Sequence, residues 1–237
     1  MTAPNISNPT HPAAAMNQVR LPRTAALGPG LGGQPRLLID APAGAAEIYL
    51  HGATLTSWVP RGGSEVIFTS RQAVFDGSTA IRGGIPLCLP EFGVGINGDA
   101  VPKHGWARIA PWQPRMVAST DDGGVRALLS VSRDHLTALY EVEVGETLRL
   151  GLSLRNDGNA PRTVEAAAHT YLSVHDVTAS LISGLAGASY SDNLARSPQE
   201  AHRVQDGDVR ISSPVDRIYD SAEPITVTDP GHERTIH

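Results

Sequence analysis

Cysteine is nearly missing from this chain of 237 residues: Cys88 stands alone. No internal disulfide can form, and a reducing compartment, the cytoplasm, is the expected location. A basic excess is missing too. With 19 Lys and Arg against 24 Asp and Glu, the formal charge is −5. Such a surface has little to offer a phosphate backbone, so nucleic acid is not an expected partner. No apolar run approaches the length of a bilayer span, so no membrane partner is expected. There is no amphipathic helix longer than about three turns and no repeat of solenoid or propeller length. Nine histidines are present but no His-x-His pair, and Arg-Gly-Gly at 82–84 lacks the spacing of a dinucleotide fingerprint. No metal and no cofactor is therefore expected.

What is present is a chain with strand character. Residues 1–34 contain no acidic residue and are rich in Ala, Pro, Gly, Asn and Thr. They lack the apolar stretch of a secretory signal, and Pro4, Pro9, Pro12 and Pro22 oppose the amphipathic helix of a transit peptide. A flexible leader over 1–34 is the expectation, followed by one domain over 35–237. From Leu37 onward the dominant period is two. Leu148, Leu150, Leu152 and Leu154 share one side of a strand, Arg149, Gly151, Ser153 and Arg155 the other, and a turn follows at Asn156-Asp157-Gly158-Asn159. Tyr140, Val142 and Val144 alternate with Glu141 and Glu143 in the same way. Short apolar runs separated by Gly, Pro, Asp and Ser predict an all-β sandwich or barrel, and a 41% hydrophobic content can fill its core.

Chemistry concentrates between residues 81 and 112. Arg82, Lys103, His104 and Arg108 bring cations and an imidazole into a stretch rich in Gly and Pro. Fixed turns rather than a ladder shape such a stretch, and its charge suits an anionic small molecule. Thr163 to Val174 reads as a strand. Val164, Ala166, Ala168, Leu172 and Val174 form its packing face, and Glu165, His169 and Tyr171 its polar face. Cys88, between Leu87 and Leu89, reads as a small buried hydrophobe.

The run Arg-Gly-Gly-Ile-Pro at 82–86, followed by Pro-Lys-His-Gly-Trp-Ala-Arg at 102–108, resembles the signature of the glucose-6-phosphate 1-epimerases. These are the hexose-phosphate branch of the aldose 1-epimerase (galactose mutarotase-like) family. Ala-His-Thr-Tyr-Leu at 168–172 resembles the family strand that bears the general acid, and Pro-Val-Asp-Arg-Ile-Tyr at 214–219 a substrate-binding segment. The resemblance implies a large antiparallel β-sandwich with a sugar bound in a groove on one sheet, a monomer acting on a hexose 6-phosphate. It makes His169 the acid that serves the ring oxygen and His104 a hydrogen-bonding partner of that oxygen or a neighbouring hydroxyl. Arg82, Lys103 and Arg108 would cage the 6-phosphate, since guanidinium forks match phosphate oxygens two at a time. Asp216 would accept hydrogen bonds from sugar hydroxyls.

One part of the family pattern finds no match. The general base is a glutamate in a Cys-Val-Glu-like motif on a late strand, and no glutamate here can be aligned with it. Glu165 shares a face with His169 but lies four residues away, roughly 13 Å along a strand. The expectation is thus a sandwich missing its last strands, with impaired catalysis. Two other readings stand beside the isomerase: a phosphosugar-binding module without turnover, and a metal-dependent cupin-like barrel, which the absent His-x-His pair disfavours.

Overall fold

The computed structural model describes residues 19–197 and 200–237. They form two compact units, one extending to Leu172 and the other running from Ser173 to His237. The single domain read over 35–237 thus becomes two clusters of contacts. The only helical elements among the described residues are three short 3-10 turns, at 31–33, 107–109 and 230–232. No helix is long and apolar enough to cross a membrane.

The first unit is built on two four-stranded antiparallel sheets. One comprises β1 (Ala25–Pro29), β2 (Pro35–Ala41), β3 (Gly44–Tyr49) and β4 (Thr54–Pro60), in that order. Between the two sheets in the chain comes a two-residue strand, β5 (Leu87–Cys88). The second sheet comprises β6 (Gln113–Ser119), β7 (Val125–Arg133), β8 (Leu136–Val144) and β9 (Leu148–Asn156). Period-two alternation decides which side is buried. On β8, Leu136, Ala138, Tyr140, Val142 and Val144 all point inward, and Val125, Ala127 and Leu129 of β7 do the same. They join Leu37, Ile39, Ala46, Ile48 and Leu55 of the first sheet in one core. The alternating leucines of β9 are half-buried against that core, as their period predicted. Asp134 and His135 close the β7–β8 hairpin, both with positive φ, as a two-residue turn matched to strand twist requires.

Two expectations need correction. The leader read over 1–34 extends too far. Its residues 1–18 lie outside the described residues, but Ala25–Pro29 is a paired strand, with Ala25 opposite Ile39 and Leu27 opposite Leu37. Val19, Leu21, Ala25 and Leu27 pack against the core, so alternating apolar side chains outweigh the proline-rich composition around them.

The regular strand read over 163–174 shrinks to β10 (Ala167–Ala168), paired with β5. The chain on either side stays extended and keeps the same antiparallel register. Glu165 N–H donates to Pro90 O, His169 N–H to Pro86 O and Tyr171 N–H to Gly84 O. Proline has no N–H to return, so the ladder is one-sided at 86 and 90 and loses regular character there. Ala166 and Ala168, read as a packing face, are exposed.

The second unit holds two three-stranded antiparallel sheets. Its strands are β11 (Leu181–Ser183), β12 (Ser189–Asp192), β13 (His202–Val204), β14 (Arg217–Asp220), β15 (Thr226–Asp229) and β16 (Arg234–Ile236). They pair as β11-β15-β16 and β13-β12-β14. Buried Asp229 accepts hydrogen bonds from the His175 N–H and His232 Nδ1 and faces Arg234.

Two core substitutions should separate packing from polarity. Leu129 is fully buried, so Leu129→Ala is expected to lower the unfolding free energy by about 2–5 kcal/mol in urea titration. The buried Tyr140 hydroxyl has no hydrogen-bond partner among the described residues, and burial pushes its phenol far above the ordinary range. Tyr140→Phe removes that unmet hydroxyl and is expected to leave stability unchanged or raise it by up to about 1 kcal/mol.

Candidate active site

A cavity of about 430 Å³ opens on the first unit, with Arg82, Cys88, His104, Arg108, His169 and Tyr171 in its wall. Each reaches it by a local device. Ser78 and Thr79 form one side, held from outside by Asp76, whose carboxylate accepts both of their N–H groups. These bonds hold the Asp76 carboxyl well below the usual range. From the interior, buried His51 meets Thr79 O through Nε2 at 2.9 Å.

The glycines after Arg82 are steric necessities. Gly83 has φ +108° and Gly84 φ +73°, and a Cβ at Gly84 would sit 2.5 Å from Leu55 O. At Gly105, φ +71°, a Cβ would lie 2.2 Å from Leu89 O. The Gly-Gly and His-Gly pairs therefore let the loop lie directly on the sheet backbone. Arg108 stands on the 3-10 turn at 107–109. Buried Trp112 fixes that turn by donating Nε1–H to Ala107 O at 2.9 Å. Arg108 Nη2 donates to Lys103 O at 2.8 Å, while the buried Arg108 Nε has no partner among the described residues.

The two imidazoles meet edge to face, their centroids 6.2 Å apart, and His169 lies 4.9 Å from the Tyr171 ring. His104 packs against Phe92 at 5.2 Å, also edge to face. Its Nδ1 accepts the Gly93 N–H at 3.1 Å and lies 3.6 Å from Cys88 Sγ. Burial lowers the His104 pKa, and the charges of Arg108, Lys103 and His169 lower it further. Burial pushes the Cys88 thiol up, against the pull of Arg108. At neutral pH the wall therefore carries a neutral imidazole, a neutral thiol and two guanidinium groups. That set suits an anion attached to an oxygen-rich body.

Of the residues singled out in the sequence, Arg82, His104, Arg108 and His169 share this cavity. The Lys103 side chain does not line it, although its charge is felt at His104. Asp216 lies in the second unit, where its carboxylate accepts from Asn193 Nδ2. No acidic side chain is among the lining residues. Glu165 and Glu91 line a different cleft, and Glu165 Oε2 accepts the Phe92 N–H at 3.3 Å. Tyr171, Thr79, His51 and the Gly93 amide escaped sequence reasoning as parts of the site. Tyr171 had a signal, two residues from His169 on the same face. His51 and Gly93 had none, because each acts through hydrogen bonds to a residue well removed along the chain. Among the described residues no three His, Cys, Asp or Glu side chains are grouped as metal ligands would be.

Residues 35–237 match the family model described as aldose 1-epimerase. A protein of Cenchrus ciliaris, named as a proposed glucose-6-phosphate 1-epimerase, is 32% identical over 206 residues, 80% of this chain and 61% of its own length. One of Escherichia coli K12 with the same name is 31% identical over 192 residues, 77% of this chain and 62% of its own. The chain thus spans about three fifths of the length of these curated relatives. The crystal structure of a proposed mutarotase from Salmonella typhimurium superimposes with a TM-score of 0.81 at 28% identity, over 91% of this chain and 73% of that one.

The lowered pKa of His104 has a signed consequence for stability. Unfolded, the ring takes a proton near its ordinary value of 6.5; folded, it resists until lower pH. The unfolded state therefore binds more protons in that window, and stability present above 6.5 is lost as the pH falls below it. Chemical denaturation at about pH 7.5 and about pH 5.5 should show a smaller acid loss for His104→Gln than for the unaltered chain. Equal losses would mean the ring titrates normally.

Proposed function

This chain belongs to the aldose 1-epimerase family, and from that premise we propose that it interconverts the α and β anomers of hexose 6-phosphates. The observation that carries the reading is the single cavity in which two guanidinium groups and two imidazoles converge. Anomer exchange requires the C1 hydroxyl to lose its proton while the ring oxygen gains one. The ring opens, the C1–C2 bond rotates, and the steps reverse on the other carbonyl face. An imidazole can both give and take a proton, which matches the donor role, and by resemblance to the family strand His169 protonates the ring oxygen. His104 donates a hydrogen bond to that oxygen or its neighbour. Arg82 and Arg108 hold the phosphate, a dianion that rewards forked cations, and Lys103 adds positive potential from outside the wall. Asp216 is assigned to sugar hydroxyls by resemblance alone. The proton transfers proposed need no metal or cofactor. The single thiol accords with a reducing compartment, the cytoplasm, and the monomer is assigned by resemblance alone.

One observation favours a second reading. The cavity wall has no carboxylate to receive the C1 proton, which suits a module that binds phosphosugars without turning them over.

Exchange spectroscopy on glucose 6-phosphate separates the two readings. The enzyme reading expects anomer exchange above the buffer rate, reduced about 10²–10⁴-fold in His169→Ala. Calorimetric binding without exchange supports the module. Under either reading Arg108→Ala should weaken hexose-phosphate binding about tenfold or more, as losing a charged hydrogen bond does. No binding at all would overturn both.

A further inference from the structure

His104 has two ring nitrogens, and one of them already has a fixed use. The Gly93 N–H points at Nδ1 from 3.1 Å. A backbone amide can only donate, so the nitrogen it faces must present a lone pair. In a neutral imidazole the proton then resides on the other nitrogen. We infer that the Gly93 amide locks His104 as the Nε2–H tautomer, making this ring a permanent hydrogen-bond donor to the ligand and excluding it as the base at Nε2. Gly93 is thereby a positioning residue acting through its backbone.

The lock is built from both sides. The His104 N–H donates to Gly93 O at 2.6 Å while the Gly93 N–H returns to the His104 ring, so loop and ring clasp each other. Both residues hold left-handed backbone, Gly93 at φ +60° and His104 at φ +66°. That conformation is free for glycine and uncommon for histidine, so the clasp has to hold it. Gly95 N–H to Phe92 O, and Ala100 N–H to Val94 O, fold the rest of the loop onto the same corner. The Phe92 ring closes one edge of the imidazole.

Burial opposes a second proton on the ring, and three groups add to that opposition. Lys103 is its chain neighbour, Arg108 comes from the 3-10 turn, and His169 faces it from the extended segment beyond β10. Cys88 of β5 is the remaining group at Nδ1, and burial keeps it a neutral thiol, a weak partner beside a backbone amide. With Nδ1 engaged, Nε2 is the nitrogen left for a ligand. The division of labour follows: His104 donates without exchanging its proton, and proton transfer falls to His169. Only this last step rests on the epimerase reading.

Long-range nitrogen–proton correlation spectra of the ¹⁵N-labelled chain, without ligand, test the tautomer. His104 is identified by the signals lost in His104→Gln. The expected pattern at neutral pH is one protonated nitrogen at Nε2 and one lone-pair nitrogen at Nδ1, unchanged in Cys88→Ala. A proton on Nδ1, or on both nitrogens, would overturn the inference, and a switch in Cys88→Ala would transfer the lock from Gly93 to the thiol. The donor role is read separately, from calorimetric affinity for glucose 6-phosphate. His104→Gln sets an amide N–H near the Nε2 position and should bind within about threefold of the original, whereas His104→Asn should lose about tenfold, the value of one neutral hydrogen bond. Equal losses would overturn the donor role. The Nε2–H pattern in a chain that binds no hexose phosphate would uphold the tautomer and overturn the ligand.

Discussion

The site depends on the antiparallel contact between residues 84–90 and 165–171. Main-chain bonds at Pro90, Pro86 and Gly84, together with the β5–β10 pair, join two segments about eighty residues apart in sequence. Through them His169 comes to rest beside His104. Because two of the acceptor positions are prolines, the contact transmits position without becoming a full ladder. Gly84 continues the chain of bonds to Phe68 O, tying the pair to the rest of the first unit.

Electrostatics follow from that placement. Two guanidinium groups, a neutral imidazole and a neutral thiol share one wall, and no carboxylate neutralises them there. Burial lowers the pKa of His104, and each neighbouring positive charge makes its protonated form still more costly. An anionic ligand would relieve this mutual repulsion. Discrimination would then come from the donors fixed around it, the Nε2–H of His104 among them.

Where a strand buried one face, the fold was legible in advance. The alternation of β8 and β9 named the inward side chains, because a one-residue slip would expose every one of them. Composition misled at Ala25–Pro29, where Ala25 and Leu27 pair in a strand and pack, with Leu21 just before them, against the core despite the proline-rich company. Period two also overstated the segment 163–174. Alternation there describes which way side chains point, but burial depends on what lies opposite, and nothing among the described residues covers Ala166 or Ala168. In the site, Arg82, His104, Arg108 and His169 were legible as residue types in an irregular motif. Their common cavity was not, since no spacing rule links position 108 to position 169.

By itself the sequence determined the strand-rich class, the irregular Gly-Pro loop and the identity of its cations and imidazoles, because local sterics and side-chain period act over a few residues. Tertiary structure alone decided that Lys103 stays off the cavity wall, that Asp216 pairs with Asn193, and that the Gly93 amide faces His104 Nδ1. Those outcomes turn on hydrogen bonds whose direction and reach are set by where distant backbone comes to rest. A string of residues does not carry that geometry until the chain has closed on itself.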